Sequence, residues 1–440
     1  MTLFYSHPPC RAGSLNSPTM PLKRALFSRV PATRIAVDLD AIARNTRVLH
    51  QACASNTSFM AVVKANAYGH GAVPVAQTAL SHGADFLGVA RMSEAVQLRE
   101  ADIQAPILVF GDTLPDLAVQ AAGLDIRVTL TGIDAARALN DAAGAARTIV
   151  TAHIKIDTGM GRLGLCPGLD MSKTLADLTS MMQMDNLAIE GIYTHFANAD
   201  AVDLTHAKQQ LALFTQVLDR LDADNLLPEI IHTANSAATL TLPQSHFTMV
   251  RPGIALYGLC PGPGVNCTDL TPALSIISTI SQVKQVPKGF AVSYGSTHVT
   301  DRPTAIATVP VGYADGYSRL LSAKAHMLVR GQRTRVTGRV CMDFTMIDVG
   351  HIPDAAFGDE VVVMGTQGNE TVSADELADL MGTINYEVVA GLTSRLPVFY
   401  RKQPIDTPRH TPDPEKQPHH GNIPENDRES SKKEHRTHDF

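Results

Sequence analysis

The sequence predicts an α/β protein with an N-terminal (β/α)8 TIM barrel over residues 34–275 and a mostly β C-terminal domain over 276–402. Two patterns carry this. Between Phe59 and Arg251, eight β-rich runs alternate with helix-compatible segments, the order that builds a parallel sheet and, at eight strands, closes it into a barrel. From about residue 275 the runs become short, β-branched and turn-bounded, with no long helix between them.

Segment 40–53 reads as a helix opened by Asp40 as N-cap, ahead of the first barrel strand, and residues 34–39 belong to either the barrel or the β domain. The barrel strands are 59–63, 85–90, 107–110, 127–130, 152–156, 189–194, 230–233 and 248–251. Helices are expected over 93–100, 115–122 and 203–222. In the last, Leu204, Ala207, Leu211, Phe214, Val217, Leu218 and Leu221 form an apolar stripe at helical spacing. The turn-rich GLCPGPGVNCTDLTP (258–272) marks a boundary loop. The β runs that follow are 276–286, 304–311, 326–330, 334–340, 345–349 and 360–364.

The flanks read differently. Residues 1–33 lack Asp and Glu and carry Arg11, Lys23, Arg24 and Arg29, which suits a transit peptide or an extension ahead of a start at Met20. In 403–440 only Ile405, Ile423 and Phe440 are strongly apolar, too few to offset the entropy of ordering, so a disordered polar tail is expected. Its histidines read as solvated side chains, and no metal site is expected.

Composition narrows the function. Among 440 residues, 44% are apolar, 18% are charged and the net charge is −6, so no global positive field favours nucleic acid. No apolar run approaches the ~18 residues of a membrane-spanning helix. Cys10, Cys53, Cys166, Cys260, Cys267 and Cys341 are scattered without a CxxC pair, and reduced thiols in a cytoplasmic protein are expected.

Barrel enzymes place their chemistry where strands end. Lys64 follows the first strand in VVKANAYGHG, and Arg162 the fifth in KIDTGMGRLG. His195 ends the sixth in YTHFANAD, Asn235 and Ser236 follow the seventh in HTANSAA, and Arg251 ends the eighth in RPGIALYG. Singly, Lys64 reads as a surface lysine, His195 as a core histidine and Arg251 as half of an ion pair. Their joint placement on one rim points to a site. A partly desolvated lysine has a lowered pKa and can form a Schiff base with a carbonyl. Pyridoxal 5′-phosphate uses such a lysine, a partner for its pyridine nitrogen and a phosphate cradle. Arg251 suits the nitrogen, Ser236 and the Gly253 N–H the phosphate. An arginine there leaves the ring nitrogen unprotonated and weakens the electron sink. Gly159 to Gly164 matches GxGxxG, but Cys166-Pro167-Gly168 breaks the chain where a dinucleotide fingerprint opens a helix.

These motifs, with VSYGST (292–297), GYADGY (312–317), GRVCMD (338–343) and INYEVVAGLTSRLP (384–397), resemble the alanine racemases over about 34–402. The resemblance implies a pyridoxal 5′-phosphate enzyme with an N-terminal barrel and a C-terminal β domain, acting on alanine as a head-to-tail homodimer. Lys64 would bond the cofactor and remove the α-proton of the D-enantiomer, with Tyr294 of the partner copy as the opposite base. His195 would stack on the ring and bond Arg251. Tyr68, Ser236, Gly253, Ile254 and Tyr386 would hold the phosphate, with Asn235 beside them. Arg162 would bond the cofactor's phenolic oxygen and the substrate carboxylate, and Met342 would offer its N–H to that carboxylate. Lys155 matches a lysine that is carbamylated in many members, and Asp343 of the same motif as Met342 is expected in support. The implied role is supply of D-alanine to cell-wall precursors.

Two bases on opposite faces of Cα are what racemisation needs. Lysine and tyrosine titrate near 10.4 and 10, so both must be lowered. Desolvation does this for Lys64 but works against Tyr294, which needs a cationic or hydrogen-bonding neighbour. The chain departs from the family pattern at Phe290, Ser318, Phe344 and near the end of SRLPVFY. Phe344 bears on substrate strictness. Competing readings are decarboxylation or racemisation of a larger amino acid on the same fold, and a non-catalytic cofactor carrier. Arg251 and Tyr294 favour racemisation over the first. The β domain speaks against the second, since such carriers are barrel-only.

Overall fold

A computed structural model describes residues 31–401. Most of 1–33 and all of 403–440, with Cys10 and the tail histidines, lie outside the described residues. Strand β1 (Arg34–Asp38) pairs antiparallel with β10 (Leu274–Thr279) and parallel with β20 (Val398–Arg401), so the first strand is built into the β sheet. Helix α1 (Leu39–Gln51) follows. Its cap is Asp38 rather than Asp40: the Asp38 carboxylate accepts from the Asp40 and Ala41 N–H groups at 2.9 and 3.0 Å. An acceptor must precede the unpaired N–H groups it serves, so the earlier carboxylate takes the position.

The barrel then runs β2 (Ser58–Val62), α2 (Lys64–Tyr68), α3 (Ala72–Leu80), β3 (Phe86–Val89), α4 (Met92–Glu100), β4 (Ile107–Asp112), α5 (Ala118–Gly123), β5 (Ile126–Leu130) and α6 (Ile133–Ala145). It continues with β6 (Val150–Lys155), α7 (Met171–Met182), β7 (Leu187–Tyr193), α8 (Thr205–Ala223), β8 (Ile230–His232), α9 (Ser236–Thr241) and β9 (Met249–Val250). Neighbouring strands are parallel, and β9 closes on β2 through Ser58 to Met249 and Phe59 to Val250. Side chains alternate between faces of a strand. Thus Phe59 and Ala61 join the large core under the helices, whereas Met60 points inward to Leu108 and Met249.

The remaining strands are β11 (Gln282–Val286), β12 (Ala291–Val292), β13 (His298–Val299), β14 (Thr304–Val309), β15 (His326–Val329), β16 (Gln332–Arg335), β17 (Thr345–Asp348), β18 (Glu360–Gln367) and β19 (Glu370–Val372). One sheet has the order β16-β15-β18-β10-β1-β20 with β19 on β18, a second is β11-β14-β17, and β12-β13 is a hairpin. The expected single run 276–286 is two strands, because the chain changes sheets. Ile280 N–H donates to Asp359 of the first sheet's side at 2.9 Å, and Ser281 N–H to Thr308 of the second at 2.8 Å. Two short helices, α10 (Ala374–Met381) and α11 (Asn385–Ala390), close the domain.

The thiol expectation needs correction. Cys260 and Cys267 form a disulfide with their Cα atoms 5.6 Å apart, while Cys53, Cys166 and Cys341 are free. Pro261, Gly262, Pro263 and Gly264 fold the chain back on itself, so a pair without CxxC spacing still meets.

The segment after β2 decides the site. Ala65, Asn66, Ala67 and Tyr68 all have φ near +50°, a left-handed turn that costs L-residues roughly 1–2 kcal/mol each. It is held from several sides. Glu94 of α4 accepts from Ala65 N–H at 2.6 Å, and the Asn66 side chain accepts from Ala72 N–H at 2.9 Å. Gly69, at φ 82°, ends the turn against α11, where an added Cβ would lie 2.3 Å from the Val389 carbonyl oxygen. Fully buried His70 donates from Nδ1 to the Tyr68 and Ala67 carbonyls at 2.9 and 3.1 Å.

Burial lowers the His70 pKa to about 4, against the pull of those two backbone bonds. The unfolded chain therefore binds the extra proton first, and stability falls as pH drops from about 6.5 towards 4, by on the order of 3 kcal/mol from this residue. His70→Asn keeps a donor for the carbonyls and does not titrate there. Urea unfolding near pH 7 and pH 4.5 should show a smaller acid loss in the variant. An equal loss would mean that His70 does not carry it.

Candidate active site

Lys64 begins the left-handed turn, partly buried, its Nζ 5.9 Å from the Tyr68 ring centroid. Its pKa is lowered, first by burial and then by Arg162 and Arg251, with Glu94 opposing. A fraction of neutral amine is thereby available nearer neutral pH than for a free lysine.

Arg251, just past β9, is 4% exposed. Its Nη2 donates to the carbonyls of Thr194 and Thr233 at 2.8 and 3.0 Å and lies 3.4 Å from His195 Nδ1. Its Nη1 donates to His232 Nδ1 at 2.8 Å. Guanidinium is only a donor, so this bond fixes every partner behind it. His232 carries its proton on Nε2 and donates to His153 Nδ1 at 2.8 Å; His153 then donates from Nε2 to Glu190 at 3.0 Å. Glu190 also receives Arg127 Nε and Nη2 at 3.1 and 3.2 Å. Burial alone would raise Glu190, but the bonds from His153 and Arg127 hold it down at about 2. Burial pulls Arg251 down to about 10, so it stays charged at neutral pH. His232 and His195 are held well below the usual imidazole range by burial and by Arg251. Both rings are neutral.

Lys155, the last residue of β6, is 4% exposed and sits 4.9 Å over the Tyr193 ring, with Nζ donating to the Ile156 carbonyl at 3.0 Å. Its pKa is well below 10.5, through burial and then the charge of Arg251. The GxGxxG stretch forms a cradle rather than a helix. The Asp157 carboxylate accepts from the N–H groups of Gly159, Met160, Gly161 and Arg162 at 2.8–3.1 Å. That cradle leaves Arg162 at the exposed edge of the rim.

Hydroxyls converge on the other side. Ser236 Oγ accepts from the N–H groups of Gly253 and Ala255 at 2.8 and 3.3 Å, and Ile254 is buried between them. Asn235 caps α9 instead, accepting from Ala238 N–H at 3.0 Å. The Tyr68 hydroxyl lies against Gly253, where an added Cβ would be 2.7 Å away. Tyr386 of α11 brings its ring to 6.2 Å from that of Tyr68. Burial raises the pKa of both phenols, which keeps them protonated as donors.

Three expected residues stand apart within one chain. Tyr294 is 71% exposed and faces an open hollow of about 850 Å³ lined by Ser281, Gln282, Lys284, Thr308, Cys341 and Phe344, all of the β domain. Met342 is 53% exposed, and Asp343 pairs with Arg395 at 2.6 Å.

Comparison with known proteins decides the family. The pattern "Alanine racemase, N-terminal domain" matches residues 37–261, and "Alanine racemase, C-terminal domain" matches 273–400. The alanine racemase of Desulfosudis oleivorans is 45% identical over 83% of this chain and 95% of its own. The chain belongs to the alanine racemases. The alanine racemase of Streptomyces lavendulae, a D-cycloserine producer, superposes with a TM-score of 0.80 at 37% identity, covering 85% of this chain and 98% of its own. That of Bacillus anthracis with bound L-Ala-P gives 0.79 at 39% identity, covering 85% and 96%. Like its relatives, this racemase is an isomerase built on a closed eight-stranded barrel with a mostly β C-terminal domain.

Sequence reasoning missed several residues that shape this racemase's rim. Glu94 holds the Lys64 turn, and Tyr193 stacks on His232 at 4.6 Å beneath Arg251. Gln210 ties Ala197 to the His195 carbonyl at 2.9 and 3.2 Å. The acidic residue three after Arg91 was the available signal for Glu94, since from there its carboxylate reaches back to accept from the Arg91 N–H at 3.0 Å.

The charges around Lys64 predict its reactivity. In cofactor-free protein, the pH midpoint for capture of an aldehyde by Lys64 should lie below that of an ordinary lysine. Arg162→Met should move the midpoint up and Glu94→Gln down, because these neighbours push in opposite senses. Absorbance titration reads the midpoint. Shifts of the reverse sign would remove the electrostatic account.

Proposed function

We propose that this alanine racemase interconverts L- and D-alanine with pyridoxal 5′-phosphate, using Lys64 and Tyr294 on opposite faces of Cα, and supplies D-alanine for cell-wall precursors in the cytoplasm. The observation that carries this reading is the convergence of a lysine of lowered pKa, a buried permanent donor and a hydroxyl cradle on one rim. The donor set fits the cofactor. Tyr68, Tyr386, Ser236 and the Gly253 N–H would take the phosphate, Arg251 the ring nitrogen and Lys64 the aldehyde carbon. When bound, the cofactor draws electron density from Cα and acidifies its C–H bond.

The chain's own groups then do the proton work. Lys64 Nζ accepts or returns the proton on one face, and the Tyr294 hydroxyl of a second copy does so on the other. The exposure of Tyr294 beside Met342 and Phe344 supports a composite site in a homodimer, because this apolar-edged face is left uncovered by its own chain. Arg251, being always protonated, would not pass a proton to the ring nitrogen, which limits electron withdrawal and disfavours transamination. Arg162 would orient the substrate carboxylate with the Met342 N–H, and Asp343 would brace that loop through Arg395. Lys155 is a buried amine whose proton affinity is lowered by burial and by Arg251; addition of CO2 to its neutral form with loss of one proton would give a carbamate that neutralises Arg162. Among the described residues no helix is long and apolar enough to cross a membrane, which is compatible with the proposed location.

Circular dichroism with alanine, serine and lysine enantiomers tests the reading. Alanine should racemise fastest, and flat alanine signals while another amino acid loses optical activity would overturn it. Lys64→Ala and Tyr294→Phe should each lower kcat by about 10²–10⁴-fold, the usual worth of a placed acid–base group.

The two inactive variants also test the composite site. Mixed and allowed to exchange subunits, they should recover about a quarter of wild-type activity, since half of the dimers then carry one intact site under twofold symmetry. No recovery in a mixture shown to contain heterodimers would place both residues in one chain's site.

A further inference from the structure

The loop closed by Cys260 and Cys267 has no part in the reaction above, yet it joins three segments that carry or adjoin residues of the rim. It leaves the barrel directly after 251–258, which carries Arg251 and Gly253. Gly264 N–H donates to the Asp200 carbonyl at 3.0 Å. The seating is close: a Cβ on Gly262 would stand 2.8 Å from Asp200 Cβ, and one on Gly264 2.3 Å from the Ala201 carbonyl oxygen. On the other side, Asn385 Nδ2 donates to the Cys260 carbonyl at 2.8 Å and to Asp375 at 2.6 Å. Asn385 is 5% exposed, and its neighbour in sequence is Tyr386.

Both cysteines are half-buried, at the edge of the core. The segment between them has two prolines, two glycines and no helix or strand. Besides the disulfide, the contacts to Asp200 and Asn385, the turn bond from Val265 N–H to the Gly262 carbonyl at 3.2 Å, the bonds from Thr268 to Asn266 Oδ1 and the buried Val265 side chain hold its shape.

We propose that Cys260 and Cys267 form a reversible thiol–disulfide site, exchanging with small disulfides and dithiols, whose oxidised state fixes Tyr386 beside Tyr68 through Asn385 and Asp200. Oxidation balances without further reagents. One thiolate attacks a small disulfide and expels one thiol; the second cysteine attacks the mixed disulfide and expels another. The protein loses two protons and two electrons, and the small disulfide becomes two thiols. Asn385 is a positioning residue in this scheme, acting through Tyr386. The role of Tyr386 rests on the reading given under Proposed function.

The test uses full-length holoenzyme equilibrated with glutathione disulfide or with dithiothreitol, then alkylated and weighed intact and as peptides. Cys260 and Cys267 should be protected only in the oxidised sample. Reduction should speed amide exchange over 196–201 and 384–390, and raise KM for alanine by about threefold or more with kcat nearly unchanged, the pattern of lost ground-state positioning. Cys267→Ser should show the reduced behaviour under both conditions. Free Cys260 and Cys267 after the disulfide treatment would overturn the proposal. So would a disulfide that forms while exchange and KM stay fixed. Exchange reads the coupling without turnover, so a protein inert towards alanine in both states would count against the racemase reading alone.

Discussion

A guanidinium buried at the open end of the barrel is the constraint on which the surrounding structure depends. Arg251 offers only donors, so everything that touches it must accept. Two strand-end carbonyls and one imidazole nitrogen do so. Because the first partner must accept, the two histidines behind it are locked into one tautomer each. The line of bonds ends on a carboxylate that a second arginine holds ionised. A buried charge left without partners would be severely destabilising; here the positive end is matched through neutral rings to Glu190. The parallel strands make this possible, since β6, β7, β8 and β9 bring residues far apart in sequence to one inner face.

The same logic explains why the lysine segment tolerates its backbone. Four consecutive left-handed residues without a glycine would not persist alone. Glu94 from α4, His70 from the turn itself and α11 from the β domain each remove an alternative. The β domain therefore does more than follow the barrel. Through β1 it shares a sheet with the start of the chain, and through α11 it presses on the turn that presents Lys64.

Much of this was legible in the sequence. The eight strands announced themselves because β-branched runs alternate with helical stripes, and Lys64, Arg251 and Ser236 could be placed on one rim from strand order alone. Glu190, His153 and Arg127 could not. Each is a polar residue inside a strand, and their pairing over 37 and 63 positions exists only once the barrel has closed. The left-handed turn was hidden for another reason. KANAY contains no glycine, so its conformation is imposed by neighbours and not by its own residues. Helix α10 is the opposite case, with Ser373 as a capping acceptor for Glu376 N–H, acidic residues in its first turn and Gly382 at its end. Those signals were present and outweighed by the β-rich runs around them.

Local charge finally separates the rim from the rest of the molecule. The whole chain carries a net charge of −6, yet Lys64, Lys155, Arg162 and Arg251 crowd one barrel end, where the two arginines add to burial in lowering the proton affinity of both lysines. The carboxylates nearby do not cancel them. Asp157 is occupied by four backbone N–H groups, and Glu94 by three. Both acids serve to shape loops and leave the basic groups short of anionic partners. A site so arranged gains most from a ligand that brings its own negative charge, because each anionic group that enters relieves repulsion already present in the folded chain. Phosphate and carboxylate are such groups, and the protonated phenols and the serine hydroxyl opposite supply direction where the cations supply attraction.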